Sequence, residues 1–114
     1  MSKQHSVIKP TVGRKLWYRP CAHELTGLGA MTASPGQPLD ATVVAVWGDR
    51  CVNVQVLDVQ GKAYTKMSVT LKQAGDQMPA DKDGNEVGGY VEWMPYQQGQ
   101  AAKAEAVDEG ATTG

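Results

Sequence analysis

Two short segments carry residue types that catalysis or metal binding would need. The segment CAHE places a thiol, Cys21, two residues before an imidazole, His23. A thiol beside a histidine is the arrangement of a cysteine nucleophile with its base. However, side chains this close together in a loop seldom align, and two cysteines with one nearby histidine fall short of the four ligands of a structural zinc site. We therefore interpret CAHE as an ordinary loop with no catalytic or zinc-binding role.

The second segment, DKDGNE, resembles part of a calcium-binding loop. Asp81, Asp83 and Asn85 have the spacing of its first three ligands, but Gly84 stands at the fourth position, where the calcium loop has its glycine at the sixth. The Asp-Gly pair instead predicts the tip of a hairpin. The sequence also lacks phosphate-binding, dinucleotide-binding, serine-hydrolase and zinc-protease motifs. We therefore expect no metal, no cofactor and no enzymatic activity.

Length and composition are those of one globular domain. The chain has 114 residues, of which 41% are hydrophobic and 20% are charged. No apolar run approaches the roughly 20 residues that a membrane-spanning helix needs. The first ten residues lack the apolar stretch of a secretory signal, which indicates the cytoplasm. In that compartment Cys21 and Cys51 are expected to be free thiols.

Five segments have the composition of β-strands. In the third, Val52, Val54 and Val56 alternate with polar residues, which is typical of a strand with one buried face. In the fourth, the same alternation predicts that Met67, Val69 and Leu71 share a face. The five predicted strands cover residues 12–18, 39–47, 51–58, 62–71 and 89–95.

These elements predict an all-β fold, a small five-stranded antiparallel barrel similar to SH3-like and Tudor-like barrels. Tight turns join the second, third and fourth strands as a meander, and the last strand is expected to pair with the first, which removes exposed edges. A long loop follows the first strand. We expect a disordered arm over residues 1–10, the barrel over residues 11–96, and a flexible tail rich in Ala, Gln and Gly over residues 97–114.

Seven aromatic residues are more than one small core can hold. In the last strand Glu92 should face solvent, which directs Trp93 inward and leaves Tyr90 and Tyr96 outside. Exposed aromatic and arginine side chains are frequent anchors of protein interfaces. The candidate binding residues are Trp17, Tyr18, Arg19, Trp47, Arg50, Tyr90 and Tyr96.

Charge suggests a second class of partner. The first 20 residues hold five basic side chains and no acidic one, whereas the segment from residue 73 onward is acidic. The sequence therefore predicts a protein-interaction module that uses an exposed aromatic patch, with nucleic-acid binding as the alternative. In the alternative, phosphates contact Arg14, Lys15, Arg19 and Arg50, and bases stack on Trp17 or Trp47. The net charge of −1 weighs against it.

The segments VGRKLWYRP, PLDATVVAVWGDRCVNVQVLD, SVTL and GGYVEWMPYQQGQA together resemble a group of small proteins of tailed phages and prophages. The resemblance covers most of residues 12–102. It implies a viral or prophage origin, a location in the bacterial host cytoplasm or the virion, and a phage or host protein as partner. It implies no catalytic residue.

Overall fold

Five strands close into one barrel in the computed structural model, which describes residues 7–80, 83 and 88–100. This confirms the predicted all-β barrel, including the meander of its middle strands and the closure by the first and last strands. The predicted disordered ends fall largely on residues 1–6 and 101–114, outside the described residues. The strands are Lys15–Arg19 (β1), Leu39–Gly48 (β2), Cys51–Leu57 (β3), Ala63–Lys72 (β4) and Tyr90–Glu92 (β5).

One pair of strands departs from the antiparallel prediction. β5 runs antiparallel to β1 but parallel to β4, with Leu71 opposite Val91. The reason is geometric, because neighbours in a closed ring of five strands cannot all alternate in direction. A parallel pair also needs a long connection between its strands, which residues 73–89 provide.

The core consists of the inward-facing residues of all five strands. Val52, Val54 and Val56 are fully buried, which confirms the predicted alternation in β3. Met67 is exposed, so its predicted place beside the buried Val69 is wrong. Between Val52 and Val54 the register shifts so that two residues of β4 oppose one of β3. Such a bulge reverses the side chains that follow, and it displaces Met67 from the inner face.

Trp93 lies at the closed end of the barrel with a side-chain exposure of 1%, which confirms its predicted core position. Its indole Nε1 donates to Oε1 of the buried Gln73 at 3.1 Å. The Gln73 amide also donates to the carbonyl oxygens of Ile8 and Asp49 and accepts from the Ile8 backbone N–H. Pro10 is buried as well, so residues 7–10 pack on the barrel although the sequence predicted a disordered arm there.

Residues 95–100 are helical and begin with Pro95, whose missing N–H suits the first turn of a helix. Gln97 accepts the Met94 backbone N–H at 2.8 Å and donates to the Lys15 carbonyl at 2.9 Å, which ties this segment to β1. The predicted tail thus begins within a helix. Among the described residues, no helix has the length and apolar character needed to cross a membrane.

A buried carboxylate helps to hold the long first loop in place. Buried Asp58 accepts the backbone N–H groups of Thr32, Gln60 and Lys62 and the Tyr64 hydroxyl, which joins the loop to the turn between β3 and β4. Burial by itself would raise the pKa of Asp58, but these hydrogen bonds outweigh burial and lower it. The loop also contains a short 3₁₀ helix, Ala22–Leu25, near β4.

Candidate functional site

Trp47 is the most exposed tryptophan of the protein, with a side-chain exposure of 63%. It lies near the end of β2, where the register against β3 shifts twice, between Val43 and Ala45 and again between Val46 and Gly48. Val44 and Trp47 are the two extra residues of β2. Bulges commonly redirect a side chain, and this one places the indole on the surface.

Asn53 of β3 fixes the orientation of that indole. Its Oδ1 accepts from Trp47 Nε1 at 2.9 Å and from the Ser68 backbone N–H at 2.7 Å. Ser68 has a φ of +53°, a left-handed conformation that a serine rarely adopts without support. One amide oxygen therefore joins the bulge of β2 to the bulge of β4 across the strand between them.

Met67 precedes Ser68 in the bulge of β4 and has an exposure of 72%. We call Trp47, Asn53, Met67 and Ser68 together the Asn53 surface. It offers a fixed indole, a flexible thioether and the amide Nδ2 of Asn53, which donates to no group within the described part of the chain. These groups bind apolar side chains and carbonyl oxygens.

Trp17 and Arg19, two predicted binding residues, lie together on the outer face of β1. The Arg19 guanidinium is 5.4 Å from the centroid of the Trp17 ring, and its Nε is 2.7 Å from Glu92 Oε2. Trp17 is half-buried beneath this ion pair. The arginine therefore already has a carboxylate partner where the sequence predicted a contact with phosphate.

Arg50 is likewise engaged. Its guanidinium binds both carboxylate oxygens of Asp76, at 2.8 and 3.0 Å. This pairing lowers the pKa of Asp76 and raises that of Arg50. A bidentate pair of this kind holds the side chain in one orientation, which leaves less of its charge for an external anion.

Two predicted binding residues, Tyr18 and Tyr90, are buried, and the predicted exposure of Tyr90 is wrong. The Tyr18 side chain points into the barrel, and its hydroxyl donates to the Glu24 carboxylate at 2.7 Å. Burial and then the hydrogen bond to Glu24 raise the pKa of Tyr18. Tyr90 is 5% exposed, and Met78 Sδ lies 3.9 Å from its hydroxyl. Tyr96 is exposed, as predicted.

The CAHE segment is better ordered than its sequence suggests. Cys21 Sγ lies 3.2 Å from His23 Nδ1, so the prediction that these side chains would not align is wrong. The same thiol donates to Glu24 Oε1 at 3.4 Å. Cys21 and Cys51 are both free cysteines.

Within the described ranges 7–80, 83 and 88–100, no group of three or more His, Cys, Asp or Glu side chains could hold a metal ion. Of the DKDGNE segment only Asp83 lies within those ranges. Comparison of the chain with protein-family models, curated proteins and solved structures found no match.

Sequence reasoning missed Asn53 and Met67. Asn53 alternates with valines and therefore resembles an ordinary solvent-facing strand residue. Met67 fits the inward alternation of β4, and only the bulge at Ser68 overrides that pattern. The sequence does not reveal the bulge of β4, because its residue with a left-handed backbone is a serine and not glycine, the residue that usually indicates this conformation.

Proposed function

We propose that this protein is a non-enzymatic protein-interaction module that docks its partner on the Asn53 surface. The observation that supports the proposal is the hydrogen bond from Trp47 Nε1 to Asn53 Oδ1, which holds a largely exposed indole in one orientation. A fixed aromatic side chain loses little further conformational entropy on binding. Tryptophan is also among the residues most enriched at the energetic centres of interfaces.

The resemblance to phage and prophage proteins supports a phage or bacterial host protein as the partner. In that setting the protein is a virion component or an accessory protein of the infected cell, located in the virion or the host cytoplasm. We favour protein binding over nucleic-acid binding because Arg19 and Arg50 are paired with Glu92 and Asp76. The net charge of −1 points the same way.

The experiment is to isolate the partner with the intact protein from infected host cells and then to measure its affinity for single variants. Trp47→Ala is expected to weaken binding at least about 30-fold, the equivalent of the roughly 2 kcal/mol that defines an interface hot spot. Met67→Ala should weaken it less, because methionine adapts to its surroundings. Tyr96→Ala is the matched control, since Tyr96 is an exposed aromatic outside the Asn53 surface.

Two results would contradict the proposal. One is full affinity in Trp47→Ala together with a loss in Tyr96→Ala, which would place the interface on the helical segment. The other is a steep loss of affinity with added salt, since contacts to phosphates weaken with salt far more than an apolar interface does. The second result would favour the nucleic-acid alternative.

A further inference from the structure

An open slot of about 270 Å³ lies in the barrel wall beside β4, on the side opposite Asn53. Residues 66–70 of β4 form one side, and Cys21 and His23 of the first loop form the other. Tyr18 and Glu24 also line it, and Gly89 lies just before β5 begins. The slot shares Met67 and Ser68 with the Asn53 surface, but neither Trp47 nor Asn53 lines it.

The slot exists because β4 is much longer than the strand beside it. β4 spans ten residues, whereas β5 has three and pairs only with Thr70, Leu71 and Lys72. Along residues 63–69, β4 pairs within the described chain only with β3. The slot therefore lies in line with β5, in the same gap between β4 and β1 that β5 fills farther along β4.

Two glycines turn the chain out of this position. Gly89 has a φ of +85°, and its N–H donates to the Arg19 carbonyl at 2.5 Å. At Gly88 a Cβ atom would lie 2.1 Å from the Pro20 carbonyl oxygen, so only glycine fits there. β5 thus begins at Tyr90, and no strand of the described ranges other than β3 pairs with residues 66–69.

We propose that this slot binds a short extended segment of a partner polypeptide as an added strand along β4, in line with β5. We choose an added strand as the occupant because the adjoining part of the gap between β4 and β1 is itself filled by a strand, β5. An unpaired strand edge offers backbone donors and acceptors that an extended peptide satisfies. The volume lies just below the range of about 300–1,000 Å³ typical of small-molecule pockets.

Charge in the slot is already balanced within the protein. Glu24 binds Lys66 and accepts the hydroxyl of Tyr18 and the backbone N–H of Cys21. The slot therefore recognises the peptide backbone more than a charged side chain. The Ser68 N–H is bonded to Asn53 and cannot pair with the peptide, so the ladder is interrupted there and the bound segment is short.

The test uses linear heptapeptides selected from a random library on the immobilised full chain. In a selected peptide, N-methylation is introduced at each backbone amide in turn. Only every second N–H of an added strand faces β4. Methylation of those amides is expected to lower peptide affinity more than 10-fold, and methylation of the amides between them should lower it less than 3-fold. Binding through side chains alone would give no such alternation and would overturn the proposal.

Blocking the slot provides the second measurement. In a Cys51→Ser chain, N-ethylmaleimide alkylates Cys21, fills the slot and should reduce peptide affinity more than 10-fold. The substitution Thr70→Arg places a long side chain at the exposed Thr70 and should reduce the affinity by a similar factor. Trp47→Ala should leave peptide affinity unchanged, because Trp47 does not line the slot, so this test is independent of partner binding at the Trp47 indole. Circular dichroism confirms that each blocked chain remains folded.

Three outcomes overturn the proposal. The first is that no library peptide binds the wild-type chain. The second is that selected peptides lose affinity through Trp47→Ala but not through either block. The third is that the chain dimerises and the blocks abolish the dimer, which would make a second copy the occupant in place of a partner peptide.

Discussion

Trp93→Ala is expected to lower the free energy of unfolding by about 3–5 kcal/mol, enough to unfold much of so small a domain. The indole is the largest fully buried side chain in the described chain, and its loss leaves a cavity at the closed end of the barrel. The substitution also removes a hydrogen bond to buried Gln73, which links residues 7–10 to the barrel. Denaturant unfolding followed by circular dichroism measures the effect.

Two tyrosines serve as controls for this change. Tyr96→Ala should alter the free energy of unfolding by less than about 0.5 kcal/mol, because its side chain is 72% exposed. Tyr90→Ala should be strongly destabilising, since Tyr90 is buried between the outer connection and β5. A stable Trp93→Ala chain beside an unfolded Tyr96→Ala chain would show that the barrel end is packed by the helical segment and not by Trp93.

Acid is expected to destabilise the protein mainly through Glu24. Burial would raise the pKa of Glu24, but hydrogen bonds from Lys66, Tyr18 and Cys21 outweigh burial and lower it to about 2. The pKa in the unfolded chain is about 4.3. A pKa that is lower in the folded state stabilises the fold above the unfolded value, and that stability is lost as the pH falls from about 5 towards 2. The lowered pKa of Asp58 acts in the same direction.

Glu24→Gln should therefore reduce the free energy of unfolding at pH 7 by about 1–3 kcal/mol and flatten its dependence on pH between 5 and 2. The loss leaves Lys66 without its carboxylate, so the double variant Glu24→Gln/Lys66→Met should recover part of the stability. Unfolding free energies measured across this pH range test both expectations.

Asp40→Asn is the matched control for Glu24→Gln. Asp40 pairs with Lys15 at 3.1 Å, but both side chains are about half exposed, and such pairs contribute about 0–1 kcal/mol. The pH profile of Asp40→Asn should follow that of the wild type. If Asp40→Asn flattened the profile as much as Glu24→Gln did, the acid sensitivity would arise from surface charge in general.

Strand pattern was sufficient to predict the barrel and the inner face of β3. The alternating valines of β3 indicated its buried face, and the carboxylate of Glu92 correctly predicted that Trp93 points inward. The parallel pair of β4 and β5 also follows from closing five strands. These features follow from the alternation of apolar and polar residues along each strand, which is visible in neighbouring positions of the sequence.

Other features depend on contacts between residues distant in sequence. Tyr90 is buried and contacts Met78, and no pattern within the last strand predicts that contact. The exposed positions of Trp47 and Met67 arise from bulges that Asn53 holds together. The 3₁₀ helix that contains His23 is joined to β4 by the ion pair of Glu24 with Lys66. None of these contacts can be predicted from the composition of the segments that make them.

The brevity of β5 has a kinetic consequence. β2, β3 and β4 are joined by short turns and can form early, whereas β5 must join β1 and β4 across long stretches of chain, and closing long loops slows folding. We expect β5 to insert last and to be released first in native-state fluctuations. Amide hydrogen exchange should therefore be faster at Val91 than at Val54, with the faster exchange following a sub-global opening.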